Sequence, residues 1–207
     1  MTRKNNLLYS DNEISRVEDV VLRCFFPEAE ERTISKIQER CGYSYERVNT
    51  ALKELEKKKI VSSKFIGKTL VYSANYSNTY LKLAFYHYMA ERQIEFSNKH
   101  TLISKSLNEI SEETFGIVIL FGSYSKGSET KNSDIDLMII SDSEKQASES
   151  VNKIKSSRGF NISLAFVKKT EFQKIKKENF ELWKDLKTYG IIFNGKDIYY
   201  SWMYQNG

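Results

Sequence analysis

The stretch LFGSYSKGSETKNSDIDLMII, Leu120 to Ile140, decides the fold of the carboxy-terminal half. Ile117–Phe121 is an apolar strand that runs straight into Gly122-Ser123-Tyr124-Ser125-Lys126-Gly127. A glycine at a strand end lets the backbone approach phosphate oxygens, and a following Ser hydroxyl and amides can donate to them. Lys126 adds a cation nearby. Ten residues separate Ser123 from Asp134-Ile135-Asp136-Leu137 and the apolar run Met138-Ile139-Ile140. Two aspartates two apart on a strand face the same way, with Cα atoms about 6.5–7 Å apart. Hard oxygen ligands at that spacing suit Mg²⁺ (or Mn²⁺), which is usually held by one or two carboxylates together with substrate phosphates. A nucleoside triphosphate on Gly122, Ser123 and Lys126, and a metal on Asp134 and Asp136, describe nucleotidyl-transfer chemistry.

This phrase resembles the signature of the polymerase-β-like nucleotidyltransferase superfamily: an apolar residue, Gly-Ser, about ten residues, then Asp-x-Asp. The likeness is nearest to the small single-domain prokaryotic (minimal, MNT-type) members and spans roughly residues 105–196. The phrase LWKDLKTYGIIFNG, Leu182 to Gly195, is also typical of them. Helices over Ser148–Ser157, Glu171–Lys176 and Phe180–Tyr189, with a strand over Phe160–Val167, complete the expected domain. The resemblance implies Asp134 and Asp136 as catalytic metal ligands. It also implies a third carboxylate on the next long strand, which here reads Gly159-Phe160-Asn161-Ile162-Ser163-Leu164-Ala165-Phe166. Asn161 or Ser163 stands at that position, and neither can act as a carboxylate base. Three consequences stay open: nucleotide binding without turnover, slow transfer with one metal, or an acid supplied by a partner or substrate.

Upstream, apolar positions Ile14, Val17, Val21, Cys24 and Phe25 recur at helical spacing between Glu13 and Phe26, with Asp11 or Asn12 as cap and Pro27 as stop. Thr33 caps a helix over Ile34–Cys41, which Gly42 ends. Ser44 opens a third helix with Val48, Ala51, Leu52 and Leu55 on one face and Tyr45, Arg47, Asn49, Thr50 and Lys53 on the other. Ile60–Ile66 and Thr69–Ala74 form a hairpin through Gly67-Lys68. Residues 13–75 therefore resemble a winged helix-turn-helix. That resemblance implies a recognition helix Ser44–Lys57 in the major groove of double-stranded DNA. Tyr45, Asn49, Thr50 and Lys53 would reach bases or phosphates; Arg47, Lys64 and Lys68 would contact phosphate. A protein-binding role for the same fold is the competing reading.

Charge supports the polyanion. Over residues 32–82, eleven Lys and Arg face four Glu, a surplus of seven, while the whole 207-residue chain carries only +5. The expected architecture is α+β: a winged helix over 1–76, a connecting helical segment over 77–112, and a mixed-sheet nucleotidyltransferase domain over 113–207. The apolar helix 79–96 reads as a seam between modules and a candidate homodimer surface. A stretch at Leu102–Ile110 continues its helical spacing, and His87 and His100 lie there without acidic or Cys partners at ligand spacing. No run is long enough to cross a bilayer, no apolar leader follows Met1-Thr2-Arg3-Lys4, and two cysteines fit no disulfide framework. A cytoplasmic location is the expectation. The function expected is Mg²⁺-dependent transfer of a nucleoside monophosphate, from ATP for example, to an acceptor such as a partner protein in an antitoxin-like pairing. The alternative is a DNA-binding regulator whose transferase-like domain only senses nucleotide.

Overall fold

The computed structural model describes residues 14–205. The chain divides after Ala84 into two compact units, and no helix among the described residues is long and apolar enough to cross a membrane.

The first unit is built on α1 (Arg16–Arg23), α2 (Ile34–Cys41), α3 (Tyr45–Lys57) and the antiparallel hairpin β1 (Val61–Ile66) and β2 (Thr69–Ala74). Helix α2 begins at Thr33, whose hydroxyl accepts the Lys36 amide, and ends at Gly42 with φ +69°. Both signals are those expected from the sequence. Helix α3 buries Val48, Ala51, Leu52 and Leu55 and packs on α1 and α2, whose Val21, Leu22 and Ile37 are also buried. Arg32 and Tyr72 exchange backbone hydrogen bonds of 2.9 and 2.8 Å, which adds a third segment beside β2.

Helix α1 needs a correction. Its cap is Ser15, not Asp11 or Asn12, which lie outside the described residues, and the helix closes at Arg23 rather than reaching Phe26. The Ser15 hydroxyl accepts the Glu18 amide while the Glu18 carboxylate accepts the Ser15 amide at 2.6 Å, a reciprocal capping box. Glu18 also meets Lys58 at 2.7 Å, tying the helix start to the end of α3.

A long helix α4 (Thr79–Lys99) is followed by α5 (Thr101–Glu113); the backbone breaks at His100 (φ −128°, ψ 56°) rather than running on. In the second unit, β3 (Gly116–Phe121), β4 (Ile135–Ser141), β5 (Ile162–Val167) and β6 (Ile191–Asn194) form one mixed sheet in the order β5-β4-β3-β6. β3 pairs antiparallel with β4 and β6, whereas β4 and β5 run parallel. The parallel pair needs a crossover, which α7 (Glu144–Arg158) supplies. One core holds Leu107 and Ile110 of α5, Val151 and Ile154 of α7, and the sheet residues Val118, Leu120, Leu137 and Ile139. α8 (Lys169–Glu178), α9 (Phe180–Tyr189), α10 (Lys196–Tyr200) and a π-helical turn at Ser201–Gln205 complete the unit. Helix α7 starts four residues earlier than its expected Ser148 because Ser143 caps it through the Gln146 amide.

Candidate functional site

Gly122 follows directly on β3 and carries φ +72°, a left-handed value that glycine adopts without strain. Residues Gly122–Lys126 form a single helical turn, α6. The turn closes on Gly127 at φ +69°, and the Ser125 hydroxyl donates to the Gly122 carbonyl at 3.0 Å. Gly122 backs directly onto a carboxylate. A Cβ there would lie 2.0 Å from Asp136 Oδ2 and 2.8 Å from its Cγ.

Asp136 sits in β4, opposite Phe121 of β3, while Asp134 stands just before the strand. Asp136 is half-buried and Asp134 exposed. Burial, and then the neighbouring Asp134 charge, push the Asp136 carboxyl above the ordinary aspartate range. Two carboxylates held so that one resists ionisation are a site that a divalent cation would relieve.

The next strand completes the picture. In the parallel register Ser163 lies beside Asp136, and the Asn161 side-chain amide donates to Asp134 Oδ1. The neighbours of both aspartates, Asn161 just before β5 and Ser163 within it, are therefore neutral. Among the described residues no group of three or more His, Cys, Asp or Glu is placed to hold a metal. Two carboxylates are of the right chemistry for a hard cation, and any cation held there would need substrate oxygens to complete its coordination.

Lys126 lies with its ammonium 2.5 Å from Asp185 of α9 and 5.3 Å from the Tyr189 ring centre. In this arrangement it fixes α6 against α9. The expectation that the two histidines lack acidic partners is corrected. His87 Nε2 lies 3.1 Å from Glu91, and His100 Nε2 lies 3.2 Å from Glu129. Glu91 is four residues along the same helix. Glu129 lies far along the chain in the loop before Asp134, a proximity that only the fold supplies. His100 also packs between Phe96 and Tyr124, at 4.8 and 5.5 Å. These residues, with Arg92, Lys99 and Lys126, line a cleft of about 230 Å³.

In the first unit, Tyr45, Arg47, Thr50 and Lys53 are exposed on α3, and Asn49 is half-buried. Arg47 stacks over the Tyr43 ring at 4.4 Å. Arg47 and Thr50 line a cleft of about 470 Å³ with Val17, Glu46, Glu54 and Lys58. Lys64 and Lys68 are exposed on the hairpin, and Lys64 meets Glu31 at 2.5 Å.

Residues 103–193 match the family model for the nucleotidyltransferase domain, and residues 14–114 match that for the penicillinase repressor. The chain carries a nucleotidyltransferase domain and a repressor-like DNA-binding domain. Searches of curated proteins and of solved structures returned no match. The nucleotidyltransferase match encloses Gly122, Ser123, Asp134 and Asp136; the repressor match encloses α3 and the hairpin.

Proposed function

We propose that the nucleotidyltransferase domain transfers a nucleoside monophosphate from a triphosphate, with ATP as the first candidate, to an acceptor hydroxyl in a Mg²⁺-dependent reaction. The observation that carries this reading is the contact between Gly122 and Asp136. The Gly-Ser turn lies against Asp136, which supports a shared surface for triphosphate and metal. Gly122 brings bare backbone next to the carboxylates, and Ser123 adds a hydroxyl donor for triphosphate oxygens. Asp134 and Asp136 would hold Mg²⁺, which supplies charge neutralisation for the triphosphate and the leaving pyrophosphate. The acceptor oxygen forms a bond to the α-phosphorus, and the bond from that phosphorus to the bridging oxygen breaks. Pyrophosphate leaves, and the acceptor proton passes to solvent. Asn161 holds Asp134 in place through its amide, and Ser163 leaves the third position uncharged.

The acceptor is proposed to be a partner protein. The repressor-like domain is proposed to place the chain on double-stranded DNA, with Lys64 and Lys68 on phosphates. Labelled ATP incubated with the protein, Mg²⁺ and candidate acceptors tests the transferase. Label transfer that survives Asp134→Ala combined with Asp136→Ala would sink the proposed site. DNA binding should weaken steeply with salt, and Lys64→Ala with Lys68→Ala should flatten the log–log slope by about 2.

A further inference from the structure

The hairpin of the first unit presents apolar side chains to solvent. Only Val61 of β1 is buried; from Ser62 to Ile66 the strand is exposed. Phe65 is 71% exposed and Ile66 54%. Phe65 pairs across the hairpin with Leu70, and Ile66 with Thr69. Adjacent strand residues point to opposite faces, so the tip is apolar on both sides. Gly67, at φ 60°, turns the chain tightly and keeps that tip narrow. Two large apolar side chains left in water on a projecting hairpin mark a contact surface.

The surrounding charge says what kind of partner fits. No carboxylate occurs in the sequence between Glu56 and Glu91, and Lys64 and Lys68 lie beside the tip; in the fold Lys64 meets Glu31, and Lys57 and Lys58 meet Glu54 and Glu18. A narrow apolar tip with Lys64 and Lys68 beside it, where phosphate would replace the Glu31 carboxylate that now meets Lys64, is complementary to a polyanion with an apolar interior. Duplex DNA is such a partner: phosphates outside, stacked base faces within. Apolar wedges inserted from the minor groove part a base step and kink the duplex.

We propose that Phe65 and Ile66 form a wedge that enters the minor groove of duplex DNA and unstacks a base step, with Lys64 and Lys68 on the flanking phosphates. This rests on the DNA reading above and adds a deformation that phosphate contacts alone would not produce. Sequence preference would then arise from how easily a step is parted, with pyrimidine–purine steps such as TpA favoured.

The test uses the full chain and a duplex of about 30 base pairs with a central TpA step. The duplex carries fluorophores at both ends and 2-aminopurine beside that step. The protein should raise the 2-aminopurine emission and shorten the end-to-end distance, through a bend of about 20–90°. Phe65→Ser with Ile66→Ser, both at exposed positions, should abolish both signals at saturating protein. It should lower affinity on the order of tenfold and leave the salt slope unchanged. Lys64→Ala with Lys68→Ala should do the converse, flattening the slope while the signals persist at saturation. A duplex bound without unstacking or bending, or bent equally by the serine variant, overturns the wedge. Absence of DNA binding at low salt overturns the DNA reading itself. Binding to phosphatidylserine vesicles that depends on Phe65, without DNA unstacking, would assign the tip to a membrane surface and also overturn the proposal.

Discussion

Gly122→Ala isolates the contact on which the candidate active site is built. Two separate penalties follow from the geometry. The backbone sits at φ +72°, where a residue with a Cβ is strained by about 1–2 kcal/mol. The added Cβ would also fall 2.0 Å from Asp136 Oδ2 and 3.0 Å from Asp136 Cβ. Asp136 is held by pairing to Phe121 on one side and Ser163 on the other, so its backbone cannot simply retreat. Forced overpacking of this kind costs about 1–3 kcal/mol. Gly127→Ala is the control. It has nearly the same φ, +69°, but nothing lies within 4 Å of its would-be Cβ. The control should lose about 1–2 kcal/mol, and Gly122→Ala about 2–5 kcal/mol. Thermal unfolding of the full chain, with chelator present, measures the difference at about 2–4 °C for each kcal/mol. Adding Asp136→Ala removes the Oδ2 and Cγ clashes, so the double variant should recover on the order of 1 kcal/mol relative to additivity. ATP binding by calorimetry should be lost in Gly122→Ala and kept in Gly127→Ala. Equal melting of the two glycine variants, with equal ATP binding, would refute the argument.

Asp136→Asn should raise the melting temperature of the metal-free protein at neutral pH while abolishing metal-dependent nucleotide binding. The Asp136 carboxyl is pushed up by burial and then by Asp134. The penalty for ionising it is therefore absent below the unfolded aspartate range and grows as pH rises through the folded value. The gain of the Asn variant should vanish on acidification; a gain that is flat with pH contradicts the assignment. Glu18→Gln should destabilise by about 1–2 kcal/mol, because it weakens the capping box and replaces the Glu18–Lys58 ion pair with a neutral contact. Burial would raise the Glu18 carboxyl, but the Lys58 and Ser15 hydrogen bonds outweigh it and hold it below the usual range. Its contribution is thus present above the unfolded glutamate value and lost as pH falls through the folded one, which denaturant melts across acid pH would follow. Lys126→Ala should cost less than about 1 kcal/mol, since its partner Asp185 is a surface carboxylate. If the ammonium stays on Asp185 when nucleotide binds, ATP affinity in calorimetry should change little.

The parts legible in the sequence were those set by residues close together along the chain. Thr33 and Gly42 mark the ends of α2 because a hydroxyl cap and a left-handed glycine act within one turn. Gly67 marks the hairpin for the same reason. The start of α1 also has a local signal: Ser15 and Glu18 stand in the S-x-x-E spacing of a capping box, and Glu18 lies three residues before Val21. Contacts across long stretches of chain carried no such signal. Lys126 finds Asp185, and His100 finds Glu129, only because α6 packs beside α9 and the α4–α5 break meets the loop before Asp134.

The same division explains the candidate site. Glycine, serine and two aspartates announce it because the turn and the strand ligands belong to one short segment. The character of its third position depended on register. Parallel pairing of β4 and β5 places Ser163 beside Asp136 and lets Asn161 donate to Asp134. A carboxylate at position 163 would add a like charge next to a group already pushed above its ordinary range, and would raise it further without a bound cation. Neutral neighbours lower that repulsion, so the pair can stay ionised with less help from a metal. The corresponding cost is one anionic ligand fewer for any cation, which shifts more of the binding onto triphosphate oxygens. Metal and nucleotide should therefore bind this chain cooperatively, each strengthening the other by the same factor.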